Sequence, residues 1–267
     1  MPDLKLPDVS YHYEVEGSGP PLLLLPGMLS DSATFGAFAP LLTDSYTVIR
    51  PDNRSAGRTT PWDAPTSIAL MAQDAIALME HLGHARFHVA GHSMGGLLAM
   101  EIAGKVPDRV ASATVLTSGR VRLPRTVGVF DALLAVRRGP DGERLWLRAL
   151  YPWIFGQAFF DTPGKVEQAM EAALAYPFAQ TADAMAHQVE TFRNLRPSVE
   201  PASLSCPVLV VYAGQDLLVP PEAARPGFSV IPDLTEVTLD HAGHSVHWDA
   251  PQELAEHMRA FLAAHPL

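Results

Sequence analysis

At 267 residues, 48% of them hydrophobic, the chain holds enough material for a sizeable core in one large domain or two small ones, and one large domain carrying an insertion is the expectation. A formal net charge of -10 argues against nucleic acid or an anionic membrane as partner, because neither attracts an acidic surface. Cys206 is the lone cysteine, which excludes an intramolecular disulfide and a cysteine cluster for zinc.

Val9 to Glu16 alternates in strand fashion and is expected to start a sheet at an antiparallel edge. Leu22 to Leu25 is a second strand, after which Asp31 or Ser32 can cap a helix bearing Phe35, Phe38, Leu41 and Leu42. Tyr46 to Arg50 is a short strand. Ser67 through Leu82 places Ile68, Met71, Ala75, Met79 and Leu82 at spacings of three and four, an amphipathic helix that stops at Gly83. Arg86 to Ala90 is a strand running into Gly91-His92-Ser93-Met94-Gly95 and a small-residue helix, and Val110 to Leu116 is the next strand. Such alternation of strand and helix predicts a mostly parallel sheet covered on both faces. From Gly119 to about Leu204 it stops. Helix-like stretches lie around Val127 to Val136, Glu143 to Leu150, Val166 to Ala175 and Thr181 to Arg193. An insertion of about 85 residues is too long for an ordinary loop and should be a folded unit. Pro197 to Pro207 reads as the return linker, and Pro207 to Tyr212 and Thr235 to Leu239 complete the strands.

The run ending in Ser93 carries the chemistry. A Gly-x-Ser-x-Gly turn between a strand and a helix forces the serine into strained backbone angles and lifts its hydroxyl clear of the sheet, a nucleophile elbow. Ser93 alone could instead be a helix N-cap. An activated serine needs a base, and the base an orienting acid. Asp216 follows one strand and His244 the next, so both fall on loops at strand carboxyl ends, where a parallel sheet gathers its functional loops. Asp216 could otherwise cap a helix near Pro220, and His244 has rivals in His241 and His247. The loop after Val110 to Leu116 offers Thr117, Ser118 and Gly119 but no carboxylate. His92 is expected to point away from the catalytic face and support the elbow. Arg54 and Arg58 are expected to pair with local acids more readily than with a substrate carboxylate. Asp31 reads as a cap, with a substrate contact as the lesser alternative.

The order Ser, Asp, His, with the strand and turn patterns around it, resembles the alpha/beta-hydrolase superfamily over nearly the whole chain. Leu22 to Met28 is similar to its strand and oxyanion loop, with Pro26 where many members carry histidine. Asp52-Asn53-Arg54-Ser55-Ala56-Gly57-Arg58-Thr59 is similar to the Asp-x-Arg-Gly-x-Gly-x-Ser loop, with Ser55 replacing the first glycine. Gly243-His244, followed by Asp249 and Pro251, resembles Gly-His-x4-Glu-x-Pro with aspartate for glutamate. The resemblance implies an eight-stranded, mostly parallel sheet, a core formed by residues 1–119 and 205–267, and a helical cap formed by 120–204. It implies an oxyanion hole from the backbone N–H groups of Met28 and Met94. The cap's aromatic side chains, among them Trp146, Trp153, Phe155, Phe159 and Phe160, suit an apolar substrate pocket. The elbow and single cap look most like small bacterial serine carboxylesterases and enol-lactone hydrolases. The implied activity is hydrolysis of a small-molecule ester or lactone through an acyl-enzyme on Ser93, which needs no cofactor or metal. Thioester and carbon–carbon bond hydrolysis, and a receptor of the same fold with slow turnover, are the alternatives. Met1 to Lys5 shows no charged segment leading into an apolar one, and no apolar run approaches the roughly 20 residues that span a bilayer, so residence in the cytoplasm is the expectation.

Overall fold

The computed structural model describes residues 3–120 and 124–267; residues 1–2 and 121–123, which include the start of the expected insertion, lie outside the described residues. Among the described residues, eight strands form one sheet. They are β1 (Asp3–Lys5), β2 (Ser10–Gly17), β3 (Pro21–Leu25), β4 (Thr47–Pro51), β5 (Phe87–His92), β6 (Val110–Leu116), β7 (Val208–Ala213) and β8 (Leu234–Leu239), in the order β1-β2-β4-β3-β5-β6-β7-β8. The pairs β1·β2 and β2·β4 are antiparallel and the rest parallel, so the strand over Val9 to Glu16 does stand on the antiparallel side.

Alternation of side chains divides the central strands between two apolar layers. Leu23 and Leu25 of β3 face the layer filled by α1 (Ile68–His81) and α2 (Met94–Lys105), whereas Leu22 and Leu24 face the layer holding Phe35, Phe38 and α10 (Pro251–Ala264). Every residue of β3, β5, β6 and β7 is buried, which is why β3 and β7 read as apolar runs without alternation, while the buried polar side chains His88 of β5 and Ser112 of β6 pair with each other at 2.8 Å. The Ser67 hydroxyl accepts from Leu70 N at 3.1 Å and caps α1, and Gly83 at φ +77° turns the chain away after it.

The region from Asp31 to Leu42 departs from the expected helix. Asp31 is the N-cap, yet the chain makes two single-turn 3₁₀ helices, Ser32–Phe35 and Ala39–Leu41. Pro40 would lie inside a continuous helix, where it has no N–H to donate and clashes with the preceding turn.

Between β6 and β7 the described residues form α3 (Pro124–Arg137), α4 (Gly142–Ile154), α5 (Gln157–Asp161), α6 (Lys165–Ala175) and α7 (Ala182–Arg193). These helices share an apolar cluster of their own around Phe130, Leu133, Trp146, Leu150, Met170 and Met185. Beyond β7 come α8 (Pro221–Phe228) and, after β8, α9 (Val246–Asp249). The loops leaving β3, β5, β7 and β8 all open at the carboxyl edge of the parallel strands, beneath the inserted helices, and that edge is where a doubly wound sheet binds ligands. Among the described residues no helix is long and apolar enough to cross a membrane.

Candidate active site

Ser93 joins β5 to α2 at φ 54° and ψ -117°, a conformation that costs a residue with a side chain about 1–3 kcal/mol and persists only where its surroundings enforce it. They do so on three sides. Ser93 N donates to Leu116 O at 2.9 Å, while Ser93 O accepts from Gly96 N at 2.9 Å and from the Ser118 hydroxyl at 2.6 Å. A Cβ on Gly91 would strike the Gly95 carbonyl, one on Gly95 the Leu25 carbonyl, and one on Gly96 would come 2.7 Å from Ser118 Cβ. Strand and helix therefore meet closely enough to hold the turn, and larger residues at these positions would part them.

His244 Nδ1 lies 2.7 Å from Asp216 Oδ2, with the Asp216 side chain wholly buried. The other carboxylate oxygen, Oδ1, accepts from Leu218 N and Val219 N, each at 2.8 Å, so the acid is fixed by its own loop. With Nδ1–H donated to Asp216, His244 presents Nε2 as the basic nitrogen. Ser93 and His244 line the same cavity. The loop carrying His244 is fastened along its backbone. His244 O accepts from Thr117 Oγ1 at 2.7 Å and His92 Nε2 at 2.9 Å; Ser245 N donates to Ile154 O at 2.7 Å. His241 is exposed and 3.6 Å from Glu253. His247 is buried, its pKa pushed down to about 3 by burial and the nearby His244, and it packs on Phe35 and His92.

His92 departs from expectation. Instead of turning away, its ring lies 4.9 Å from that of His244 and borders the cavity. Burial first, then the neighbouring His247 and His244, hold it well below the ordinary histidine range, so it is a neutral ring whose Nε2–H donates to His244 O.

After β3 the chain passes Pro26 and Gly27 to Met28, which borders the cavity beside Ser93. Met94 is the first residue of α2, and an N–H there has no partner within its helix and lies at the positive end of the helix dipole. The cavity has a volume of about 760 Å³. Of the five aromatic residues expected to line it, Trp146 and Phe155 do; Trp153, Phe159 and Phe160 do not. Phe159 turns inward and stacks on Phe155 at 3.9 Å, Trp153 packs half-buried against the same cluster, and Phe160 is exposed. Neighbouring positions on a helical turn point to different sides, so one short segment cannot send all its rings one way. Tyr151, Leu147, Leu150 and Tyr176 complete much of the apolar wall. Polar groups gather at two places, Asp31 with Tyr176 (2.9 Å) and Arg137 with Glu143 (3.0 Å). Among the described residues no cluster of three or more His, Cys, Asp or Glu side chains is placed to hold a metal ion.

Residues 20–251 match the profile of the alpha/beta hydrolase fold. The chain belongs to this family. It is 27% identical over 257 residues to the candidate carbamate hydrolase RutD of Azorhizobium caulinodans, covering 95% of each chain. Among solved structures, the thermophilic esterase of Thermogutta terrifontis is 25% identical, with a TM-score of 0.83 over 97% of this chain and 95% of the other. The enol-lactonase of Burkholderia xenovorans LB400 shares the fold at 22% identity, with a TM-score of 0.82 over 96% and 97%.

Gln188 had no local signal in the sequence, and Asp249 and Asp52, although each lies in a short pattern noted above, carried no sign there of the groups they bind. Gln188 of α7, 1% exposed, accepts from Leu29 N at 2.7 Å, so an inserted helix grips the residue after Met28, itself at φ 61°. Asp249 Oδ2 accepts from Gly243 N at 2.8 Å and Gly156 N at 2.7 Å, joining the His244 loop to the α4–α5 turn. Asp52 accepts from Ser32 N through Oδ1 and from Arg58 N and Nε through Oδ2, bracing the loop after β4 against that after β3. Arg54 is held bidentately by Asp74 at 2.6 and 2.9 Å, and Arg58 also reaches Glu14 at 2.9 Å, so both guanidinium groups serve local acids as expected.

Proposed function

We propose that this hydrolase cleaves a carboxylic ester or lactone through an acyl-enzyme on Ser93, with the five inserted helices as a cap over the site. The observation that carries this reading is the 2.7 Å pairing of His244 Nδ1 with buried Asp216 beside a cavity that also takes in the strained Ser93. His244 Nε2 takes the Ser93 proton as Oγ attacks the carbonyl, and the Met28 and Met94 N–H groups receive the developing oxyanion, worth about 3 kcal/mol per donor. The proton returns through His244 to the leaving alkoxide. Water, deprotonated in turn by His244, then releases the acid from Ser93. Likeness to the Thermogutta terrifontis esterase supports an ester substrate.

The decisive experiment is steady-state hydrolysis of p-nitrophenyl acetate by the wild type and Ser93→Ala, with circular dichroism to establish that both are folded. Turnover is expected to fall by about a thousandfold or more in the variant. Unchanged hydrolysis in a folded Ser93→Ala chain overturns the assignment, and a single burst without cycling favours a slow-turnover receptor.

A further inference from the structure

Two chambers of very different size meet at the nucleophile. One is the cavity of about 760 Å³; the other has a volume of about 30 Å³ and is walled by Leu97 of α2, Thr126 of α3, Phe192 of α7, Leu195 and Val219. Ser93, His244, Met28, Phe130 and Leu218 border both. A group the size of water needs about 10–15 Å³ of such space, so the small chamber accepts on the order of two non-hydrogen atoms. The large one falls within the roughly 300–1,000 Å³ that receives whole drug-sized ligands.

The wall of the small chamber is held from several directions. Thr126 Oγ1 donates to Leu218 O at 2.8 Å, Asp216 Oδ1 fixes Leu218 N and Val219 N, and Phe192 meets Phe130 edge-on at 5.7 Å. Beyond Leu195, buried Glu101 of α2 accepts from Ser198 N at 2.9 Å and Val199 N at 3.2 Å, tying the chain that leaves α7 to the core. Enlarging this chamber therefore means separating packed elements, whereas the large one already has the room.

A carbonyl poised over Ser93 directs its oxygen to the oxyanion donors, and its acyl and alkoxy substituents diverge. Two chambers meeting at the nucleophile receive one substituent each. We infer that the substrate joins, across its scissile bond, one bulky apolar group to a group of about two non-hydrogen atoms, as in an acetate of a large alcohol or a methyl ester of a large acid. The inference rests on the acyl-enzyme reading above. For the acetate, an acetyl–Oγ bond forms as the alcohol leaves with the proton from His244, and water then gives acetate; for the methyl ester, methanol leaves and the large acid follows.

Three isomeric esters separate the outcomes, because they share one formula and differ only in where the carbonyl divides the chain: octyl acetate, methyl nonanoate and pentyl pentanoate. With wild-type protein, kcat/KM for pentyl pentanoate is expected to fall at least about tenfold below the better of the other two, the discrimination a tight apolar pocket exerts against added methylenes. The better of the unsymmetrical pair tells which half of the ester the small chamber takes. Phe192→Ala and Leu195→Ala, each made separately, are expected to raise pentyl pentanoate relative to both isomers by about tenfold. Equal rates on all three esters, or no gain from either variant, overturn the inference and leave the ester-hydrolase reading standing. Absence of Ser93-dependent hydrolysis of every isomer and of p-nitrophenyl acetate overturns both.

Discussion

Asp31 stands where the loop after β3 meets the inserted helices, one oxygen capping the 3₁₀ turn at Ala33 N and the other accepting the Tyr176 hydroxyl. Burial, reinforced by the Asp52 carboxylate, raises its pKa from 3.8 to about 6. Because the folded value lies above the unfolded one, the folded chain binds more protons between them. The associated stability is fully present below about pH 4 and is lost as pH rises through about 6. Asp31→Asn keeps an oxygen for Ala33 N and removes the charge. At about pH 8 it should be more stable than wild type by as much as about 3 kcal/mol, and at about pH 3 the two should unfold alike. Chemical denaturation at both pH values checks this; a difference independent of pH would show that the charge is not its source. Asp31 also illustrates what sequence conveys at this scale. Ser93, Asp216 and His244 could be picked out because each lies in a short local pattern, a Gly-x-Ser-x-Gly turn or a polar residue just past an apolar strand. No such pattern separates Trp146 and Phe155, which reach the cavity, from Trp153, Phe159 and Phe160, which do not, because that depends on how each helix is rotated in the assembled fold.

Among the elements, the hydrogen bond from Leu29 N to Gln188 Oε1 couples α7 to the loop after β3, which carries Met28. Leu29 holds φ 61°, a region that costs a branched side chain about 1–2 kcal/mol, and its N–H turns toward the inserted helix for its partner. Gln188→Leu leaves that N–H without its acceptor, at a cost of about 1–3 kcal/mol, enough to let the loop relax and swing Met28 N–H out of line. The expected result is a kcat about tenfold lower with KM little changed, the mark of an interaction made in the transition state. Adding Leu29→Gly should restore most of the loss, since glycine adopts positive φ without strain. Failure of that rescue, in a double variant that melts like the single one, would mean that Gln188 acts through packing. Element boundaries were legible where local chemistry marks them. Ser67 and Gly83 bracket α1, and the Val110 to Leu116 run is β6 residue for residue. The three-residue β1 and five-residue α5 carry too few positions to establish a period, and the two turns after Asp31 read as one helix because the spacing of Phe35, Phe38 and Leu42 survives the break at Pro40.

Across the whole molecule, stability is distributed unevenly, and the uneven part covers the cavity. All seven residues of β6 are buried in the sheet, whereas α6 buries a single side chain, Met170, among eleven, and packs chiefly on α4 and α5. Yet Ala169, Ala172 and Ala173 of α6 line the large chamber. An element with so little buried apolar surface opens locally at a few kcal/mol, while the central strands exchange their amide protons only through global unfolding at about 5–15 kcal/mol. Detachment of α6 therefore uncovers the chamber without disturbing the loops of Ser93, Asp216 or His244, which are secured by β5, β6 and the Asp249 bridge. Native-state hydrogen exchange by mass spectrometry should show α6 amides exchanging orders of magnitude faster than those of β5 and β6. Reaction of Ser93 with a long-chain fluorophosphonate, whose alkyl tail replaces the missing packing, should slow exchange in α6 and leave β6 unchanged. A short-chain fluorophosphonate should modify Ser93 without that protection. Equal protection of α6 and β6 in the free protein would place the route into the chamber elsewhere, and slowing by the short-chain reagent would trace the effect to the serine adduct instead of to contact between the tail and α6.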